Sequence, residues 1–340
     1  MRASCSTRLA AALGLTLLLA AAPAFAQPRD REPARSGSAP HGVPPEIATK
    51  VLANGLQIIV WPDHDISNVA LYNFVHVGSR NERPGITGLS HFFEHMMFNG
   101  SAHHPPGDFD RVMEENGGSN NAYTTNDATV YQDWFPHSAL ELIFQLEADR
   151  ICCLSFDSTA VESERQVVYS ERRTSVEDDN ASLLDEQVMA TAFVAHPYQI
   201  PVIGWPSDIE HWTLNDLKTY FRTYYAPNNE TMVIAGDVTP AEVFALAERY
   251  LGPIPPQPQP ARVGPAEPVQ LGERRVEVRK TGQVPILEVS YHVGTPRDPG
   301  AEALDLLHMI LTSGESSRLY RRLVDQERIA VGVSSSVMEG

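Results

Sequence analysis

The sequence predicts an α+β protein built from a duplicated domain, with the second copy incomplete. Three observations carry that expectation. Stretches that alternate apolar and polar residues, as strands do, are interspersed with stretches of helical spacing. A proline-rich run, Pro253-Ile254-Pro255-Pro256-Gln257-Pro258-Gln259-Pro260, interrupts all periodicity and marks a stiff, extended linker. Across that run a motif recurs in the same order: His76-Val77-Gly78 followed by His95-Met96, then His292-Val293-Gly294 followed by His308-Met309.

Taken in order, Arg2 and Arg8 flank the start of an apolar run from Leu9 to Ala21, which ends at Pro23-Ala24-Phe25-Ala26. A basic start, an apolar stretch and a small-x-small ending read as a secretory signal over 1–26, cut after Ala26. Residues 27–45 are rich in Pro, Arg, Ser and Gly without periodicity and read as a flexible leader. Val51 to Val60 surrounds Asn54-Gly55, a hairpin-turn dipeptide, and Val69 to Val77 alternates as a strand. A helix is expected from Thr87 to Asn99, stopped by Gly100, because glycine accepts the left-handed conformation that closes a helix. Phe109 to Glu115 reads as a helix ending at Gly117-Gly118, and Tyr123 to Trp134, with its Thr, Val, Tyr and Trp, as a strand. Helical spacing returns over Ala139 to Arg150 and Ser158 to Asp178; Thr231 to Gly236 is a short buried strand and Pro240 to Leu251 a helix. These elements place a first domain over 46–252, the linker over 253–270 and the start of a second domain over 271–340. A second copy this short leaves strands without partners.

Composition narrows the function classes. Hydrophobic residues make up 42% and charged residues 20% of the 340, which fits a globular protein and excludes wholesale disorder. Lys plus Arg number 26 against 43 for Asp plus Glu, a formal net charge of -17. A surface that acidic repels phosphate backbones, so nucleic acid is excluded as a general partner. Only 3 cysteines are present and two of them, Cys152 and Cys153, are adjacent, so no disulfide framework holds this fold. No stretch after the signal is apolar enough to cross a bilayer, and the mature chain is expected in the periplasm with no stable membrane span.

The chemistry concentrates in Ser90-His91-Phe92-Phe93-Glu94-His95-Met96-Met97-Phe98-Asn99-Gly100. On a helix, positions four apart share a face, so His91 and His95 present two imidazoles to one ion, and Glu94 flanks that face. Leu89, Phe93 and Met97 recur on another face that can bury itself and hold the histidines in place. Neutral imidazole is a good zinc ligand, and a carboxylate that does not bind the metal can take a proton from zinc-bound water. The order His-x-x-Glu-His is the inverse of the commoner His-Glu-x-x-His zinc-protease motif. The bland reading is two surface histidines and a solvated Glu on an amphipathic helix. A catalytic zinc wants a third protein ligand, and Glu162 to Arg173 supplies candidates on a second helix. Glu164, Val167, Val168 and Glu171 share one face of it, although Arg165, Arg172 and Arg173 could equally make it a salt-bridged surface helix. Spacing does not choose among Glu162, Glu164 and Glu171.

At these residues the sequence resembles the pitrilysin, or insulinase, family of inverted-motif zinc peptidases, which includes insulin-degrading enzyme and the mitochondrial processing peptidase. The resemblance runs from about Val51 to Gly340. Its ordered blocks are Gly78-Ser79-Arg80-Asn81-Glu82 before Gly88-Leu89-Ser90-His91, Asn121-Ala122-Tyr123-Thr124 with Thr129 and Tyr131, Glu147-Ala148-Asp149-Arg150, and Glu164-Arg165 to Glu171. Further on come His196-Pro197-Tyr198 with Gly204-Trp205, and Tyr225-Ala226-Pro227-Asn228-Asn229 with Ala235-Gly236-Asp237.

The resemblance implies, in each copy, a mostly antiparallel sheet packed against helices. It also implies a zinc-dependent endopeptidase acting on extended or unfolded peptides. His91, His95 and Glu171 then bind one Zn2+ per chain, Glu94 is the general base that activates zinc-bound water, and Glu164 helps order the site. The peptide adds itself as a strand to the edge near Asn121 and Ala122.

One departure stands out. Two-domain members of the family carry Leu-Arg, four residues, then Leu-Gly-Tyr or similar in the second domain, and the Arg and Tyr reach the substrate. Here the run is Leu323-Val324-Asp325-Gln326-Glu327-Arg328-Ile329-Ala330-Val331, with valine at both functional positions, and His308 stands without a metal motif around it. The resemblance therefore points to a heterodimer in which a zinc-free, pitrilysin-like subunit supplies the missing pair. The rival readings are a non-catalytic assembly subunit and a zinc-stabilised module that captures peptides without cutting them.

Overall fold

The computed structural model describes residues 46–264 and 266–337; the expected signal (1–26) and leader (27–45) lie outside the described residues. Strands β1 (Ala48–Val51) and β2 (Gln57–Pro62) pair antiparallel across the Asn54-Gly55 turn. Gly55 sits at φ 92°, which a side chain resists, and Asn54 donates through Nδ2 to the carbonyls of Leu251 and Ile254 at 2.9 Å each. There follow β3 (Asn68–Val75), α1 (Leu89–Met96), α2 (Asp108–Glu115), β4 (Ser119–Thr124) and β5 (Thr129–Pro136). Then come α3 (Leu140–Cys153), α4 (Ser158–Arg172), α5 (Asn180–Ala192), α6 (Pro206–His211), α7 (Leu214–Tyr224), β6 (Glu230–Gly236) and α8 (Pro240–Tyr250). Helix α9 (Ala301–Thr312) lies beyond the proline-rich run.

The six strands form one sheet in the order β1-β2-β6-β3-β5-β4. Only the β2–β6 pair is parallel, so the fold is α+β with a mostly antiparallel sheet. One face is buried by alternation and mostly apolar: Ile58 and Val60, Leu71 and Val75, Met232 and Ile234, and Tyr131 and Phe135 are all buried, with Asn73, Asp133 and Glu230 buried among them. The apolar side chains form one core with residues of α1, α3, α7 and α8. At one edge of the sheet, β4 pairs among the described residues only with β5, and none of them forms a strand on its other side.

Two expectations change in detail. Tyr123 to Trp134 is a hairpin rather than one strand, turning at Thr125-Asn126-Asp127-Ala128 between β4 and β5. The Thr125 backbone N–H donates to the Ala128 carbonyl at 2.8 Å, and its hydroxyl accepts from the N–H groups of Asp127 and Ala128. A side chain that bonds its own turn in this way can bend a run of strand-forming residues. The helix expected to reach Asp178 ends as α4 at Arg172 and continues as a π-helical turn over Arg173–Glu177.

Beyond the proline-rich run α9 forms, and the repeated His292-Val293-Gly294 lies in no strand. Leu287 and Tyr291 are exposed there, at 89% and 79%, since an apolar run becomes a strand only when a neighbour completes its ladder. Cys152 and Cys153 are bonded to each other, a link between adjacent residues that ties no distant segments together.

The acidic block near Arg150 has a structural role. Arg150, Glu147 and Asp133 are fully buried, the guanidinium pairs with Glu147, and it lies 4.6 Å over the Phe109 ring and 4.8 Å over Tyr131. Burial, and next the neighbouring Glu147, hold the Asp133 carboxyl well above its ordinary range. This cluster joins α3 to β5, the strand that carries β4.

Candidate metal centre

Helix α1 is anchored before it begins. Gly88 precedes it at φ 87°, and a Cβ there would stand 2.5 Å from the Ile203 carbonyl oxygen, so only glycine fits. The first N–H groups of a helix lack partners within it. Glu82 supplies them, accepting from the N–H of Gly88 at 2.6 Å and of Ser90 at 2.7 Å. Phe92, Phe93 and Met96 are buried, each contributing about 1.5–3 kcal/mol by area. Phe93 stacks on Tyr220 at 5.8 Å, fixing the rotation of the helix about its axis.

Burial drives the Glu82 carboxyl up to about 8 from 4.5, despite the N–H groups it accepts. A group whose pKa is raised by folding contributes stability that is full below 4.5 and lost as pH rises to about 8. Glu82→Gln removes that titration, so its urea-unfolding stability should vary less than the parent's across this window. An equal slope in both proteins would contradict the assignment.

Helix α4 starts where Asp157 accepts from the N–H groups of Thr159 and Ala160, and it packs through Val161 and Val168. Two nearby arginines are committed elsewhere. Arg165 donates to the Ile209 and Trp212 carbonyls and to Glu162, and Arg172 to Glu186 and the Gly204 carbonyl at 2.8 Å each. Glu162 is thus engaged by Arg165 and Gln166 and does not join the site. Glu164 and Glu171 face α1 instead.

The structure brings His91, His95 and Glu171 together, with one coordinating atom from each inside 4.8 Å of the others. Nε2 of His91 lies 3.6 Å and Nε2 of His95 3.3 Å from the Glu171 carboxylate. Glu164 sits 2.7 Å from Nδ1 of His95 and also accepts from Asn99 Nδ2 at 2.7 Å, which orients the His95 ring with Nε2 toward Glu171. Burial alone would lower the His95 imidazole, but hydrogen bonds to Glu164 and Glu171 outweigh it and raise it to about 9. Hydrogen bonds from His91 and then His95 hold the Glu171 carboxyl far below its ordinary range. Two imidazoles and a carboxylate at this spacing fit a divalent cation: the carboxylates that favour protonated imidazole would equally favour a metal in the proton's place.

Glu94 stands outside that trio and accepts from the Thr124 hydroxyl at 2.6 Å. Asn121 is exposed and Ala122 half-buried on β4, the free edge. The surface beside Glu171, formed by Ser163, Gln166, Val167, Ser170 and Thr174, is shallow and open. His308 is remote in role, bonded to Ser335 at 2.6 Å. Asp149, Cys152 and Cys153 also cluster, but the two sulfurs are bonded to each other and offer no thiolate. Residue order by itself gives neither Glu82 nor Thr124 a part in this site. Alternation along β4, which puts Thr124 on the face of Ala122, was the available signal for Thr124.

The chain matches known proteins in sequence and in fold. Residues 59–205, which include His91, Glu94, His95 and Glu171, match Insulinase (Peptidase family M16), and residues 211–340 match the Peptidase M16 inactive domain. The zinc protease PqqE of Helicobacter pylori is 32% identical over 299 residues, covering 87% of this chain and 67% of that protein. The crystal structure of a protease from Helicobacter pylori superposes with TM-score 0.80 at 31% identity, over 87% of this chain and 72% of that one. The periplasmic protease PqqL from Escherichia coli aligns with TM-score 0.59 at 27% identity, over 65% of this chain and 25% of that one. The chain belongs to the insulinase family, peptidase family M16. It spans about two thirds of the length of PqqE and of mycobacterial relatives named zinc proteases, and 48% of a fission-yeast relative named as a probable mitochondrial-processing peptidase β subunit.

Proposed function

We propose that this protein is a zinc-dependent endopeptidase that hydrolyses extended or unfolded peptides. The observation that carries the reading is the separation of roles on α1: two imidazoles converge with Glu171, while Glu94, on the same helix, is left out of that trio. His91, His95 and Glu171 would hold one zinc ion, with Glu164 orienting His95. Zinc, when bound, supplies Lewis acidity toward a peptide carbonyl and lowers the pKa of water. Glu94 takes the proton of the attacking water and returns it to the leaving amine. The peptide lies along the free edge of β4 at Asn121 and Ala122, where main-chain hydrogen bonds accept many sequences but require an extended chain.

Export by the signal over 1–26 would put this activity in the periplasm, the compartment named for the PqqL relative. No helix among the described residues is long and apolar enough to cross a membrane. The valines at 324 and 331 favour a heterodimer in which a zinc-free family subunit supplies an Arg and a Tyr to the substrate. They also support the second reading, a zinc-binding assembly or peptide-capture subunit.

The test is hydrolysis of an unfolded polypeptide by the purified, zinc-loaded chain, alone and with a zinc-free family subunit. Cleavage that a chelator stops and zinc restores is expected, rising when the second subunit is added. Full-rate cleavage by the chain alone would remove the partner from the proposal. Zinc uptake and peptide binding without cleavage in either mixture would establish the capture reading instead.

A further inference from the structure

We propose that Thr124 is the positioning residue for Glu94, and that through it the substrate-edge strand and the general base form one mechanical unit. The inference rests on the hydrolytic reading above but is carried by its own geometry. The Thr124 hydroxyl donates to Glu94 Oε2 at 2.6 Å across 30 residues of sequence, from the last position of β4 to the last turn of α1. A glutamate on a helix has three rotatable side-chain torsions and no built-in preference for the rotamer that a proton transfer needs. The hydroxyl pins one carboxylate oxygen and leaves Oε1 to exchange the proton. Being β-branched, threonine is stiff at χ1, so the donor is itself pre-aimed.

The strand end that carries Thr124 is held from several sides. Thr124 pairs with Thr129 across the hairpin. The following turn receives the N–H groups of Ser79 and Arg80 on the carbonyls of Thr125 and Asn126, at 3.3 and 3.0 Å. Gly78 packs against that turn so closely that a Cβ there would stand 2.5 Å from the Thr125 and Asn126 carbonyl oxygens. Asp127 is paired to Arg80 at 2.6 Å and accepts from the Tyr198 hydroxyl at 2.8 Å. All this rigidity is spent on a short surface hairpin, and its tip delivers one hydroxyl to Glu94. Ala122 and Thr124 share a face of β4, so a peptide added to the free edge beside Asn121 and Ala122 orders the strand that aims the base.

The experiment compares full-length parent, Thr124→Val and Thr124→Ser. Valine keeps the branched shape and the strand and removes only the donor; Thr124→Ala serves the same comparison should the valine protein not fold. With zinc content and KM unchanged, kcat on an unfolded peptide should fall about ten- to a hundredfold in Thr124→Val, below what a whole general base contributes, and serine should restore most of it. Crystal structures of the metal-free parent and valine proteins give a readout independent of turnover. The Glu94 carboxylate should hold one position in the parent and leave it in Thr124→Val. Glu94 unmoved in the valine variant, valine at the parental rate, or serine as slow as valine would each overturn the proposal. A parent that does not hydrolyse peptides defeats the hydrolytic reading, and the crystal structures still decide whether Thr124 positions Glu94.

Discussion

Glu94→Gln should keep one zinc per chain and lose essentially all hydrolysis, a fall of about 10²–10⁴ from removal of the base. The amide has nearly the volume of the carboxylate, and its carbonyl oxygen can still accept from the Thr124 hydroxyl. What it cannot do is take a proton from water and return it to an amine. His91, His95 and Glu171 are untouched by the change, so metal analysis of the dialysed variant should match the parent. Both readouts matter. Turnover near the parental level would remove Glu94 from the mechanism, whereas loss of zinc would put it among the ligands.

Glu171→Gln should do the opposite and weaken zinc retention more than 100-fold, by competition against a chelator of known affinity. Glu171 is the carboxylate within 3.6 Å of both imidazole Nε2 atoms, and a neutral amide is a poor ligand for a divalent ion. Glu164→Gln is the internal control. Glu164 meets the other nitrogen of His95 and works by holding the ring, so its loss should cost about 10–100-fold. Should Glu164→Gln prove the more damaging of the two, the carboxylates exchange roles.

The two helices of the site differ in how far they can be read from residue order. His91 and His95 follow from spacing, because four residues bring side chains to one face of any α-helix. The burial of Leu89, Phe93 and Met97 follows in the same way. The carboxylate did not follow, since Glu164 and Glu171 share a face and arginines lie between and beside them. Where those arginines go depends on contacts with Gly204, Ile209 and Trp212, more than 30 residues away. Hairpin Ser119–Pro136 shows the same limit on a smaller scale: threonine reads as strand-forming, and the hydroxyl that turns the chain at Thr125 is seen only once its partners are in place.

Periodicity and turn chemistry are properties of neighbours in the chain, so they reveal helices α1 to α4 and α8, strands β2, β3 and β6 and the paired histidines, while α5, α6, α7 and the β4–β5 turn show no signal strong enough to read. Glu82 under the start of α1, Thr124 against Glu94 and Glu171 opposite both imidazoles depend on the meeting of groups 6, 30 and 76–80 residues apart. Helix and strand repeats say which way a side chain points within its own element. Which distant group it meets is set when the sheet face, α1 and α4 bury their apolar sides together, since packing then allows each helix one rotation and one depth.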